Sequence, residues 1–131
     1  MEESIFTKII KGQIPAHRVY EDEKVIVIMD ISPIQPGHIL VIPKVQVEDF
    51  YNLEDDDYQA LFRVVKQMAT KLKAAFPSKK RIAVQIEGLD VPHVHVKMFP
   101  IDSSQQFRAL NSTAETDHRA LAELADKIKS A

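Results

Sequence analysis

The sequence predicts a single domain in which helices cover a β-sheet, and three observations carry that expectation. Several short runs are apolar or alternate in polarity with a period of two, and Pro, Gly or acidic turns bound them as they bound strands. One long stretch, Tyr58 to Phe76, instead repeats its apolar residues at helical spacing. Only Gly88–Pro92 separates the last two strand-like runs, a connection short enough to favour an antiparallel hairpin. At 131 residues the chain has the size of one domain, 1–131. It buries roughly two-thirds of the surface its unfolded form exposes, and no internal repeat or low-complexity tract divides it.

Taken in order, Ser4 to Lys11 places Ile5, Phe6, Ile9 and Ile10 like one face of a short helix, which Gly12 stops. Ala16–Tyr20 and Lys24–Asp30 read as strands around the turn Glu21-Asp22-Glu23, with His17 exposed on the first. The second is apolar from Val25 to Met29, as in a strand buried on both faces, and ends on an acid, Asp30. A loop with Pro33, Pro36 and Gly37 leads to the apolar strand His38–Lys44, where Gly37 allows a tight approach. Asn52 is the expected cap of the long helix, whose first turn holds Glu54, Asp55, Asp56 and Asp57, where the helix dipole favours negative charge. Pro77 terminates it. Arg81–Glu87 alternates as a strand with two unlike faces. The span 101–111 shows no period, and Ser112 with Glu115 forms a capping-box pattern before a helix striped by Leu121, Leu124, Ala125 and Ile128.

Chemistry concentrates in Val91–Pro100, VPHVHVKMFP. Read as a strand fenced by two prolines, it sends His93, His95, Lys97 and Phe99 to one face and Val94, Val96 and Met98 to the other. Same-face neighbours lie about 6.6 Å apart in a strand, so two imidazoles and an ammonium line one edge of a site. A lone strand histidine is usually a satisfied or solvent-facing residue. Two followed by a third cation, with no acid on the same face to answer them, point to an anionic ligand.

Composition excludes several classes of partner. A net charge of −2 leaves no basic excess for general binding to nucleic acid or to a membrane surface, so any phosphate recognition is local. The absence of cysteine removes disulfides and thiolate metal sites and fits a reducing cytoplasm. The start, MEESIFTKIIKG, does not read as a signal peptide, and no run approaches 18 apolar residues.

With His38 and Asp30 added, the set His38, His93, His95 and Lys97 suits two kinds of site. In one, an imidazole is nucleophile or general base, a second orients it, and cations stabilise charge building in a phosphoryl or acyl transition state. In the other, three imidazoles hold a metal with an open position for water; a lysine on the same face would repel that metal. A binding module without turnover is the third reading.

Three spaced blocks resemble the histidine triad (HIT) family of nucleotide hydrolases and transferases: Ile5-Phe6-x-Lys8-Ile9-Ile10-x-Gly12-x-Ile14-Pro15, Asp30-Ile31-x-Pro33-x-x-Pro36-Gly37-His38-x-Leu40-Val41-Ile42-Pro43-Lys44, and Pro92-His93-Val94-His95-Val96. The resemblance covers nearly the whole chain. It implies an α+β, HIT-like fold: an antiparallel five-stranded sheet with a long covering helix and a C-terminal helix, paired into a two-fold homodimer. It implies a purine nucleotide of the AMP or GMP kind as substrate, chemistry at its α-phosphorus, and no cofactor. Residue by residue, His95 matches the nucleophile that forms a nucleotidyl-histidine intermediate, His93 the first signature histidine, and His38 the upstream histidine that supports it. Asp30 matches the acceptor of the ribose hydroxyls, and Ile5, Phe6, Ile28, Ile31 and Leu40 match the base pocket. An acid suits paired hydroxyls and an apolar slot suits a base, although core packing explains the five apolar residues equally well.

The chain departs from the family pattern at three places. Lys97 stands where the third signature histidine is expected, keeping a charge for phosphate but making a poor proton donor at neutral pH. The loop Gly88–Pro92 lacks the Gly-Gln-Ser segment, and Ile86 replaces a phosphate-binding asparagine. Ser4, Thr7 and Gln46 occupy positions where zinc-binding members carry two cysteines and a histidine, so no zinc is expected there. The expectation is a cytoplasmic phosphoramidase or dinucleoside polyphosphate hydrolase, with a catalytically weak nucleotide-binding or regulatory module as the alternative.

Overall fold

A computed structural model describes residues 2–131. The chain runs α1 (Ile5–Ile10), β1 (Arg18–Glu21), β2 (Val25–Met29), β3 (Ile39–Pro43), α2 (Asp55–Ala75), β4 (Arg81–Gln85), β5 (Val96–Ile101), α3 (Ser104–Arg108) and α4 (His118–Lys129). The strands form one antiparallel sheet of five, in the order β1-β2-β3-β5-β4. This is the expected α+β arrangement. The two continuous apolar strands, β2 and β3, are buried at every position and pair in the middle of the sheet.

The sheet has two unlike faces. Val25, Val27, Met29, Ile39, Val41, Val96 and Met98 project under α2 and α4, where Leu61, Met68, Leu72 and Ile128 close the main core. Ile26, Ile28, Leu40 and Ile42 project to the other side, where α1 covers them through Phe6 and Ile9 and the loop residues Ile14, Ala16 and Val91 add partial cover. Ser4 caps α1 by accepting the Thr7 N–H. Gly37 turns the chain into β3 with a φ of +90°; a Cβ there would be strained and would lie 2.8 Å from the Phe76 ring, so any side chain must displace that ring.

Several boundaries differ from the sequence reading. The histidine run is strand only from Val96 onward, and Pro100 lies inside β5, beyond the part paired with β3, where the strand has lost one neighbour and tolerates a missing N–H. Glu54, not Asn52, precedes α2, because Phe50–Asn52 forms its own 3-10 turn. Asp117, not Ser112, caps α4 by accepting the Ala120 N–H, while the Ser112 hydroxyl accepts from Ala114 N–H in a local turn. The span without period contains α3, started by a Ser103 cap. His17 precedes β1, and its Nε2 lies 2.9 Å from Nδ1 of His118. Among the described residues no helix is long and apolar enough to cross a membrane.

Candidate active site

The site lies on the sheet face that the long helices leave open. His93 and His38 are wholly buried, and His95 is 5% exposed. Their hydrogen bonds decide their tautomers. His93 Nε2 meets the Pro43 carbonyl at 2.7 Å; a carbonyl only accepts, so Nε2 carries the proton and Nδ1 accepts from the Ser4 hydroxyl at 2.7 Å. Gln46 ties this corner down: its Oε1 accepts from the Ser4 N–H at 2.8 Å and from the Thr7 hydroxyl at 2.7 Å, and its Nε2 donates to the Glu2 carbonyl. Ser4, Thr7 and Gln46, the three residues at which no zinc is expected, are thus joined by hydrogen bonds.

His95 Nδ1 donates to the His93 carbonyl at 2.8 Å, which leaves the Nε2 lone pair free. The edge of Phe6 packs against this imidazole at 4.8 Å between centroids and fixes its plane. His38 Nδ1 accepts from the Ile34 N–H at 3.0 Å, so its proton sits on Nε2, the one buried side-chain polar atom among the described residues without a hydrogen-bond partner. That atom lies 3.5 Å from Oδ2 of Asp30, whose Oδ1 accepts the Ser32 N–H at 2.7 Å.

Burial sets the electrostatics. It lowers the pKa of His38 to about 3, aided by the charges of Lys97 and His95, and lowers His93 and His95 as well, so all three imidazoles are neutral at pH 7. Burial also raises Asp30, against the Ser32 N–H and the nearby Lys97 charge, which favour its ionised form. The His38–Asp30 approach is therefore a neutral N–H facing a carboxyl group rather than an ion pair. Burial pushes Glu87 up, but Lys97 and the backbone N–H groups of Leu89 and Gly88 outweigh it and hold the carboxyl below its usual range.

Ile5, Phe6, Ile28, Ile31, Leu40 and Asp30 line one cavity of about 430 Å³ together with His95 and Lys97. The expected nucleophile, acid and base-pocket residues thus share a single space of suitable size for a small ligand. His93 and His38 do not line it. Ser4 and Pro43 occupy the ring nitrogens of His93. The acid that answers Lys97 is Glu87, 3.5 Å away, supplied from beyond the end of β4 rather than from the same strand face. Sequence reasoning missed Glu87 because a single acid after a strand carries no pattern. It missed Asn111, which also lines the cavity and donates to the Ser32 carbonyl, because its segment has no period. The Ser4–Thr7 pair left a signal, a capping serine three residues before a threonine at the start of α1.

Solved proteins share this five-stranded antiparallel sheet and its covering helices. A solved HIT-like protein of Bartonella henselae superimposes with a TM-score of 0.86 at 32% identity, over 98% of this chain and 95% of that one. The HIT domain matches residues 11–104, and the chain belongs to that family. An adenosine 5'-monophosphoramidase of Candida albicans is 33% identical over 95% of this chain and 88% of its own length. A purine nucleoside phosphoramidase of Escherichia coli is 42% identical over 49% of this chain and 54% of its own.

Proposed function

We propose that the protein hydrolyses purine nucleoside 5'-phosphate derivatives at the α-phosphorus, with His95 as the nucleophile. The observation that carries this reading is the His95 ring itself: Nδ1–H is held by the His93 carbonyl, Nε2 is free, and the same cavity holds Asp30 and an apolar slot. Nε2 attacks phosphorus, the bond to the leaving nitrogen or oxygen breaks, and the leaving atom keeps the electron pair and takes a proton from water at the cavity mouth. Water then attacks phosphorus, giving its proton to the hydroxide left by the first step, while the P–N bond breaks with its electron pair returning to His95 Nε2 and the nucleotide departs. Through both steps the His95 Nδ1–H bond stabilises the charge the ring acquires. Asp30 accepts the ribose hydroxyls, the apolar residues sandwich a purine, and the Lys97 ammonium holds a phosphate oxygen. His93, fixed by Ser4 and Pro43, acts by positioning His95.

Relatives that carry phosphoramidase names support this reaction class. The same reading places a homodimer in the cytoplasm. The pairing of Lys97 with Glu87 favours a second reading, a nucleotide-binding module with weak turnover, because the position expected to supply a leaving-group proton is instead a salt-bridged ammonium.

The test is a panel of adenosine and guanosine 5'-phosphoramidates and dinucleoside polyphosphates, assayed with and without a chelator. The expected result is chelator-insensitive turnover that His95→Ala reduces by about a thousandfold or more, with a quenched nucleotidyl adduct on His95 by intact mass. Binding without turnover selects the second reading, and an adduct on another residue removes His95 from its role.

A further inference from the structure

Among the described residues, His38 Nε2 is the one buried side-chain donor that meets no acceptor at hydrogen-bond distance. The residue is wholly buried, and its Nδ1 is already taken by the Ile34 N–H. A buried N–H left unpaired costs stability, so a donor kept there has a use that the fold alone does not supply. His93 offers it no acceptor, because Ser4 and Pro43 occupy both ring nitrogens.

The sheet register decides what this donor faces. Asp30 follows the last residue of β2 and His38 precedes the first of β3, each one step beyond the paired Met29 and Ile39. The Asp30 N–H donates to the His38 carbonyl at 3.0 Å, so the two residues stand opposite each other. Met29 and Ile39 enter the helix-side core, and alternation therefore sends Asp30 and His38 to the open face. Phe99, 5.0 Å from the imidazole between centroids, and the Ile34 N–H hold the ring in place, with Nε2 at 3.5 Å from Asp30 Oδ2. Asp30 lines the nucleotide cavity and His38 does not, so the imidazole backs the carboxyl from inside the protein.

A ribose laid on Asp30 displaces the water around its carboxyl, and a covered carboxylate needs donors on both oxygens. The Ser32 N–H supplies Oδ1 at 2.7 Å, and the His38 Nε2–H stands at Oδ2. A distance of 3.5 Å is longer than a formed hydrogen bond, and such contacts shorten when a substrate draws the carboxyl into place. Burial, which lowers the His38 pKa to about 3, keeps the imidazole a neutral donor at pH 7.

We propose that His38 is a positioning residue for the sugar: its Nε2–H closes onto Asp30 Oδ2 when a nucleotide binds and fixes the carboxylate to accept from both the 2'- and 3'-hydroxyls. The His38–Asp30 pair then selects ribonucleotides over compounds that lack the diol. This rests on the nucleotide reading above and assigns His38 to substrate selection rather than to the chemistry at His95.

The experiment compares adenosine 5'-phosphoramidate with its 2',3'-dideoxy analogue. His38→Asn keeps an acceptor for the Ile34 N–H but cannot reach Oδ2, and His38→Gln returns an N–H to that place; thermal melts check folding, and His38→Met replaces the Asn variant if that does not fold. The expected result for His38→Asn is a KM raised about tenfold for the ribonucleotide, the scale of one hydrogen bond to a charged group, with kcat within about twofold and the dideoxy KM unchanged. His38→Gln should recover most of the loss, and in an Asp30→Asn background the His38 substitution should leave the ribose preference where it is. A fall in kcat shared by both substrates, or an equal rise in both KM values, overturns the role and leaves the nucleotide reading standing. If neither compound is hydrolysed the hydrolase reading fails, and calorimetric Kd values for adenosine 5'-monophosphate and its dideoxy analogue decide the pair: a loss confined to the ribonucleotide supports it, while equal losses or no binding overturn it.

Discussion

The two faces of one sheet make opposite use of the same strands. Along β5, Val96 and Met98 enter a dry core sealed by α2 and α4, while Lys97 between them lines the cavity that holds His95 and Asp30. Beside it in β3, Ile39 and Val41 join that core, while Leu40 lines the cavity. A 21-residue helix excludes water from one face; a six-residue helix leaves the other partly open. Buried polar groups persist where they find partners, as His93 and His95 do through Ser4, Pro43 and the His93 carbonyl, while His38 Nε2 has only the Asp30 carboxyl 3.5 Å away. The comparison teaches that stability and chemistry are separable in this fold by side-chain parity, and substitutions on each face test it.

The largest expected effect lies on the helix face. Leu72 is wholly buried there, and Leu72→Ala leaves a cavity that costs about 2–5 kcal/mol of stability. The folded variant should keep its kcat/KM. Urea unfolding paired with assays well below the transition checks both, and loss of activity at full folding would break the separation.

The next effect belongs to the open face and depends on pH. The folded pKa of His38, about 3, lies below its unfolded value, so the unfolded chain binds more protons as pH falls. Stability from this group is complete above the unfolded pKa of about 6.5 and is lost as pH falls toward 3. From pH 7 to pH 5 the loss is about 2 kcal/mol for His38, with His93 and His95 adding in the same direction. Asp30, raised by burial, titrates in the opposite sense as it protonates. Urea midpoints measured across this range should fall with pH, and His38→Gln should flatten the slope; a flat profile for the wild type would mean the imidazoles are not held neutral.

Ser4→Ala comes third. It leaves His93 Nδ1 without a donor, at about 1–2 kcal/mol, and loosens the carbonyl that holds His95. The expectation is a roughly tenfold drop in kcat with KM little changed, largely restored by Ser4→Thr. A pure loss of stability with kcat intact would make Ser4 only a helix cap.

These contrasts also explain what the sequence could and could not disclose. Strand identity and facing were legible because burial on the helix side demands uninterrupted alternation or full apolarity, as in Val25–Met29. The cavity residues were legible through motif spacing, and their mutual placement follows from the β2–β3–β5 registers, which set Ile28 against Leu40 and Leu40 against Lys97. His93 was assigned to the same strand face as His95, yet it precedes β5 and turns inward, because a buried imidazole with two hydrogen-bond partners is more stable than one forced into the cavity. Ser112 looked like a helix cap and Asp117 did not, since a local turn and a true cap use the same side-chain-to-backbone bond. Glu87 and Gln46 act through contacts distant in sequence, which no local pattern encodes.

The smallest effect sharpens the boundary between the two faces. Lys97 lies between two core residues of β5, and its ammonium is 3.5 Å from Glu87, which lines the same cavity. Replacing it with Met keeps the stem and removes the charge; Glu87, still half-exposed, stays solvated, so the strand should hold its stability to within about 1 kcal/mol. The ligand loses a cation for its phosphate, while Glu87 loses its counter-charge and repels the same phosphate. Both changes weaken nucleotide monophosphate binding, together by about three- to tenfold, and the loss shrinks in high salt. Lys97→His should keep most of the binding and raise kcat/KM chiefly for substrates with poor leaving groups, such as alkyl phosphoramidates, because an imidazolium yields a proton near neutral pH more readily than an ammonium does. The measurement is kcat/KM for wild type and both variants over a series of leaving groups, with Kd for the monophosphate. If Lys97→Met binds as tightly as wild type and shows the same leaving-group dependence, the ammonium serves only to pair with Glu87, and the open face needs no cation on β5.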